Sequence, residues 1–186
     1  MAQKSKQWAA IIMMIALFAM IAFVTNLCSP MATIVKNQFG ASEAAGQIGN
    51  YANFIAYLVM GIPSGMLISK LGYKKTALAA LLVGLAGIVL EYLSGVMGSY
   101  WVYLGGAFIS GLCMCMLNTV VNPLLNVLGG GGKTGNQLIQ IGGAFNSAAA
   151  VAVYIMMGAL IGEVTKDTGI SDATPALIIA GAIFAV

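Results

Sequence analysis

The sequence predicts an all-α polytopic membrane helix bundle, and three observations carry that prediction. Hydrophobic residues fill 60% of the 186 positions and charged residues only 7%, against roughly 25% charged in a soluble domain. Apolar runs of the ~20 residues needed to cross hydrocarbon recur along the whole chain. The lysines gather in alternate connecting loops, the pattern that orients helices in a membrane.

The first apolar run lies near 8–35, behind Lys4 and Lys6. It is longer than the about 7–15 residues of a signal-peptide core, so it reads as a retained first span. The second lies near 44–69 and the third near 76–96, joined by a short cationic turn with Lys70, Lys74 and Lys75. Gly65 there is expected to allow close helix contact, and Gly72 to permit the tight turn. The fourth span lies near 100–128 and the fifth near 137–162, with Lys133 between them. A sixth run opens at Thr174-Pro175, proline suiting a first helical turn. It continues over 174–186, about 12 residues and too short to cross. The sixth helix is therefore expected to be truncated, in a fragment or a shortened product, with positions 1–186 forming one transmembrane bundle.

Charge sets the orientation. With the N-terminus in the cytoplasm, Lys4, Lys6, Lys70, Lys74, Lys75 and Lys133 lie inside, and Lys36 and Lys166 outside. This obeys the positive-inside rule, and the reverse orientation breaks it. The extramembrane acids Glu43, Glu163, Asp167 and Asp172 all fall on the outer side. A net charge of +3 without one arginine gives no basic surface for nucleic acid.

Enzyme chemistry finds little to work with. The chain has no histidine, so neither a histidine-based hydrolase triad nor an ordinary zinc set can form. Cys113 and Cys115 stand two residues apart in a helix and point to different sides; with Cys28 they lie in apolar runs, unlike a disulfide framework. Gly129–Thr134 reads Gly-Gly-Gly-Gly-Lys-Thr, but the phosphate-loop pattern wants glycine where Val127 stands, after a strand. It reads as a flexible turn. No cofactor and no metal is expected.

Polar side chains inside spans are costly and usually face the bundle interior or a cavity. Here most are amides. Asn118, Asn122 and Asn126 follow at i, i+4 and i+8, and Asn50, Asn53 and Tyr57 at i, i+3 and i+7, each set on one helix face. Asn26 precedes Pro30, and the fifth run adds Gln140, Asn146, Ser147 and Tyr154. Amides both donate and accept hydrogen bonds, which suits a neutral, hydroxyl-rich solute better than an ion. Tyr57 and Tyr154 offer rings for the apolar face of a sugar. The candidate substrate contacts are Asn26, Tyr57, Asn118, Asn122 and Asn146. The competing reading is interhelical hydrogen bonding, with the glycines at 61, 65, 105, 106, 111, 158 and 162 packing the bundle. Glu91 is the one acid within a span. A carboxyl buried there could carry a proton; Tyr92 and Trp101 nearby favour a position at the outer interface instead.

The turn after the second span resembles the signature loop of the major facilitator superfamily, Gly-x-Leu-x-Asp-Arg-x-Gly-basic-basic. Here it runs from Gly65 through Ser69, Lys70 and Gly72 to Lys74 and Lys75, with Ser69 at the usual Asp position and Tyr73 at the first basic one. In that superfamily the loop latches two halves in one state, so a weaker or different latch is implied. The stretch from Asn118 through Asn122-Pro123 to Gly129, followed by Phe145-Asn146-Ser147, resembles the fucose–proton symporter family and its glucose/galactose relatives. The resemblance covers essentially the whole chain. It implies the N-terminal six-helix half of a major facilitator fold in a bacterial inner membrane, carrying a monosaccharide by alternating access and completed by a C-terminal six-helix half. Its partners are then a sugar and membrane lipid. The family's symporters often carry Glu where Asn118 stands and an acid in the first span, where this chain offers Asn26; coupling is then left to Glu91, to an acid in the missing half, to another ion, or to none. The alternative is a non-transporting receptor or assembly module of similar fold.

Overall fold

A computed structural model describes residues 2–40, 42–161, 170 and 172–185. Glu163, Lys166 and Asp167, the end of the fifth run at Gly162, and Val186 lie outside the described residues. The described elements are all helical: α1 (Ala2–Phe39), α2 (Glu43–Met97), α3 (Tyr100–Leu128), α4 (Gly132–Ile161) and α5 (Thr174–Ala185). Four of them are long and apolar enough to cross a membrane, and the chain is an integral membrane protein.

α2 holds both the second and the third expected spans, two helical arms joined across a kink. α2 runs for 55 residues, and only Gly72 leaves helical geometry, at φ 77° and ψ 167°. That φ is open to glycine and strained for other residues. Thr76 Oγ1 donates to the Gly72 carbonyl at 2.9 Å and holds the break. Hydrogen-bonded turns resume at once on both sides, so no loop separates the two arms. The contacts with α3 give their directions. In the first arm Ala56 meets Gly111 and Ser64 meets Thr119, rising together along α3. In the second arm Gly87 meets Ser110 and Glu91 meets Gly106, running opposite. α2 therefore doubles back at Gly72. The described elements number five, and the expected six-helix count is not reproduced as such.

α3 sits at the centre. Its side chains from Tyr103 to Leu125 are buried on several faces, against both arms of α2 and against α1. Lipid provides no hydrophobic drive for helices to associate, so close van der Waals contact must do so. Small residues make that contact here. A Cβ on Gly106 would lie 2.8 Å from Glu91 Cγ, one on Gly111 2.8 Å from Ala56 Cβ, and one on Gly87 2.5 Å from Ser110 Oγ. Gly61, Gly65, Gly105 and Gly158 have no such neighbour within 4 Å. The expected close contact at Gly65 is thus absent among the described residues, because it lies on the outward face of α2 with exposed Leu58 and Ile62, while its neighbour Ser64 faces α3.

Candidate functional site

A cavity of about 300 Å³ opens between α1, the first arm of α2, α3 and α4. That is the small end of the about 300–1,000 Å³ range of ligand pockets. α1 supplies one wall through Phe18, Ile21, Ala22, Thr25 and Asn26, the i, i+3, i+4, i+7, i+8 stripe of a single helix face. Tyr57, Asn118, and the pair Gly143 and Asn146 close the other sides.

Each amide here makes one bond inside the bundle and keeps further capacity, since an amide has two donor hydrogens and an acceptor oxygen. Asn118 Nδ2 donates to the Tyr57 hydroxyl at 2.9 Å, joining α3 to α2. Asn146 Nδ2 donates to the Phe18 carbonyl at 3.0 Å, joining α4 to α1. Asn26 Nδ2 turns back onto the Ala22 carbonyl at 2.8 Å. Pro30 lies inside α1 four residues later and has no N–H, so the Asn26 backbone carbonyl lacks its helical donor.

The structure brings together Asn26, Tyr57, Asn118 and Asn146, and leaves Asn122 out. Asn122 Nδ2 bonds its own helix at the Asn118 carbonyl, 3.0 Å away, half-buried and off the cavity wall. Asn126, one turn further, donates to Asn136 Oδ1 at 3.0 Å and pins the turn that leads into α4. In that turn Gly130, Gly131 and Gly132 all have positive φ. The face of Asn50, Asn53 and Tyr57 divides in the same way. Asn50 bonds Gln47, Asn53 donates to Cys28 Sγ at 3.4 Å, and only Tyr57 reaches the cavity. Tyr154 is exposed and stands away from it. In the cationic turn, Ser69 Oγ donates to the Gly65 carbonyl at 3.0 Å, and Lys70, Lys74 and Lys75 are exposed.

One feature escaped the sequence, and one expectation is corrected. Thr25 lies on the cavity wall close to Tyr57, and its Oγ1 is the one buried side-chain polar atom without a hydrogen-bond partner among the described residues. The rule that flagged Asn26, a polar group inside a span, applies equally to its neighbour. Glu91 does not reach the outer interface. It is 6% exposed, and its Oε1 accepts from Ser110 Oγ at 3.0 Å. The contact with Gly106 draws it into the α2–α3 seam, while neighbouring Tyr92 and Trp101 face outward.

No protein-family model matches the chain. Among curated proteins it is 30% identical, over 89% of its length, to a candidate glucose/galactose transporter of Helicobacter pylori (strain J99 / ATCC 700824). It is 24% identical over 83% to the glucose/galactose transporter of Brucella abortus biovar 1 (strain 9-941), and 26% identical over 78% to the L-fucose-proton symporter of Escherichia coli (strain K12). It covers 40%, 37% and 33% of those proteins, so it spans well under half of the relatives it matches. Among solved structures it superposes on the Escherichia coli fucose:proton symporter with a TM-score of 0.71 at 20% identity, over 94% of this chain and 47% of that one. The resemblance to glucose/galactose transporters and the fucose–proton symporter therefore holds along most of the chain, and the fold is that of a major facilitator superfamily transporter.

Proposed function

We propose that this chain forms the N-terminal half of a transporter that moves a neutral monosaccharide of the glucose, galactose or fucose type by alternating access. The two arms of α2 then serve as the second and third spans, and α5 opens the sixth. A second six-helix half completes the site, with sugar held between the halves near the midplane. The lysine distribution supports a cytoplasmic N-terminus, in a bacterial inner membrane.

One observation carries the reading: Asn26, Tyr57, Asn118 and Asn146 converge on one cavity from four helical segments. Sugar hydroxyls both donate and accept, and an amide can answer either need. Each amide is already held by one bond to a helix neighbour, so little ordering remains to be done when sugar arrives. Tyr57 adds a ring against which the apolar side of a pyranose can pack. No acid stands on the cavity wall among the described residues, which favours a neutral solute.

The test is uptake of labelled glucose, galactose and L-fucose by the intact protein in liposomes. Saturable uptake of at least one is expected. Asn118→Leu should lower it about tenfold or more, since a site built to hydrogen-bond a hydroxyl loses roughly 1–3 kcal/mol when one partner is removed. Binding of a sugar without transmembrane flux would instead identify a receptor.

A further inference from the structure

The transport reading makes no use of Glu91, although a carboxyl enclosed between helices is expensive in a membrane and calls for a reason. Its surroundings are specific. Ser110 Oγ donates to Oε1 at 3.0 Å, and Gly106 packs against Cγ and the backbone N–H. Gly87, one turn before Glu91 on the same arm, meets Ser110 as well. Two titratable groups stand within electrostatic reach, the Cys28 thiol of α1 and the Tyr103 phenol of α3, both neutral hydrogen donors in their ordinary state. The first arm of α2 contributes Asn53, hydrogen-bonded to Cys28. α5, which approaches the same arm at Ile88, carries no charged residue. Among the described residues, no lysine is paired with Glu91. Glu91 lies six residues before the end of α2, about 9 Å along the axis.

We propose that Glu91 is a proton-binding site at the α2–α3 crossing, separate from the sugar cavity, whose loading sets how closely the two helices pack. A proton from the aqueous phase adds to the carboxylate and gives the neutral acid, while Ser110 continues to donate to Oε1. The neutral acid fits a seam closed by glycine contacts. The carboxylate needs more donors than Ser110 alone and draws water in, loosening the crossing. α3 carries both Ser110 and Asn118, eight residues or about 12 Å apart on one rigid helix. A change at the seam is therefore transmitted to the cavity. The idea rests on the transport reading for its purpose, though not for the site itself.

Infrared difference spectra of the intact protein in lipid nanodiscs, taken between alkaline and acidic buffer, test it directly. A carbonyl band of a protonated carboxylic acid should appear on acidification, be lost in Glu91→Gln, and move to higher frequency in Ser110→Ala as its hydrogen bond disappears. An unchanged band in Glu91→Gln overturns the proposal. Should Glu91→Gln fail to fold, an unmoved band in Ser110→Ala overturns it equally. Equilibrium binding of glucose, galactose and L-fucose in the same nanodiscs separates the two readings. The band together with no sugar binding would sink the transport reading and leave the proton site standing.

Discussion

The α2–α3 seam and the α1–α3–α4 cavity are built from the same kinds of residue and spend them differently. At the seam, polar groups answer one another: Ser110 bonds Glu91, Ser64 bonds Thr119 at 3.0 Å, and Ser94 Oγ bonds the Glu91 carbonyl at 2.6 Å. Glycines bring the backbones so close that a single Cβ would collide with main-chain atoms. At the cavity, each asparagine makes one bond and holds capacity in reserve, and Thr25 Oγ1 makes none. α3 faces both regions. The contrast separates a scaffold, which gains from satisfaction, from a binding surface, which must keep part of its hydrogen-bonding capacity for a ligand.

Crowding the seam should have the largest effect. Gly106→Val places a branched side chain where even one Cβ lies 2.9 Å from the Glu91 backbone nitrogen and 3.0 Å from the Gly87 carbonyl. Neither backbone can retreat cheaply, so a loss of about 3 kcal/mol is expected, the upper end for overpacking. Gly105→Val, one position away and without a neighbour within 4 Å, should change stability by under ~0.5 kcal/mol. Thermal unfolding in detergent compares the pair. Equal melting temperatures would remove the distinction between packed and open faces of α3.

Next in size are changes at the cavity that spare the fold. Asn118→Leu keeps the branched shape of the side chain but removes the bond to Tyr57. A membrane interhelical hydrogen bond is worth about 0.6 kcal/mol on average, so melting should shift little while sugar uptake falls about tenfold or more. A drop in melting temperature comparable to that of Gly106→Val would make Asn118 part of the scaffold. Asn118→Glu places a carboxyl beside the Tyr57 hydroxyl, where the wild-type wall has no acid. Uptake in that variant should acquire a pH dependence that the wild type lacks at this position. A pH profile superimposable on that of the wild type would exclude position 118 as a coupling site.

How much of this was legible in the sequence depended on the physical rule involved. The all-helical membrane class follows from composition, because backbone groups in hydrocarbon must bond within their own segment. The inward amides Asn26, Asn118 and Asn146 were legible because polar groups in spans turn away from lipid. Periodicity could not divide their tasks. Asn118, Asn122 and Asn126 share a helix face, yet one lines the cavity, one bonds its own helix and one pins a turn. Those outcomes depend on which helix stands opposite, and a single strand of sequence does not contain that. Glycine shows the same limit. Gly65 and Gly106 look equally fit for close packing, and only the arrangement of helices gives Gly106 a neighbour. For Glu91 the sequence left a buried and an interfacial reading open for a related reason: position along a span gives depth, while burial depends on the direction in which the side chain points.

The smallest expected effect is also the sharpest test of reserved capacity. Thr25→Val replaces a hydroxyl by a methyl of nearly the same size. If Thr25 belonged to the scaffold, the change would remove a bond and destabilise the bundle. Its Oγ1 has no partner and sits next to Tyr57, so removing it instead relieves a buried unsatisfied polar atom, which costs about 1–3 kcal/mol where it occurs in full. Melting should therefore hold or rise by a few degrees, roughly the shift that 1 kcal/mol produces in a chain of this size. Sugar affinity should weaken at the same time, by severalfold rather than tenfold, because the Thr25 hydroxyl is itself largely covered. Opposite signs in stability and affinity mark a group kept for binding. A variant that loses stability and keeps its affinity would return Thr25 to the scaffold and reduce the cavity to its three amides and Tyr57.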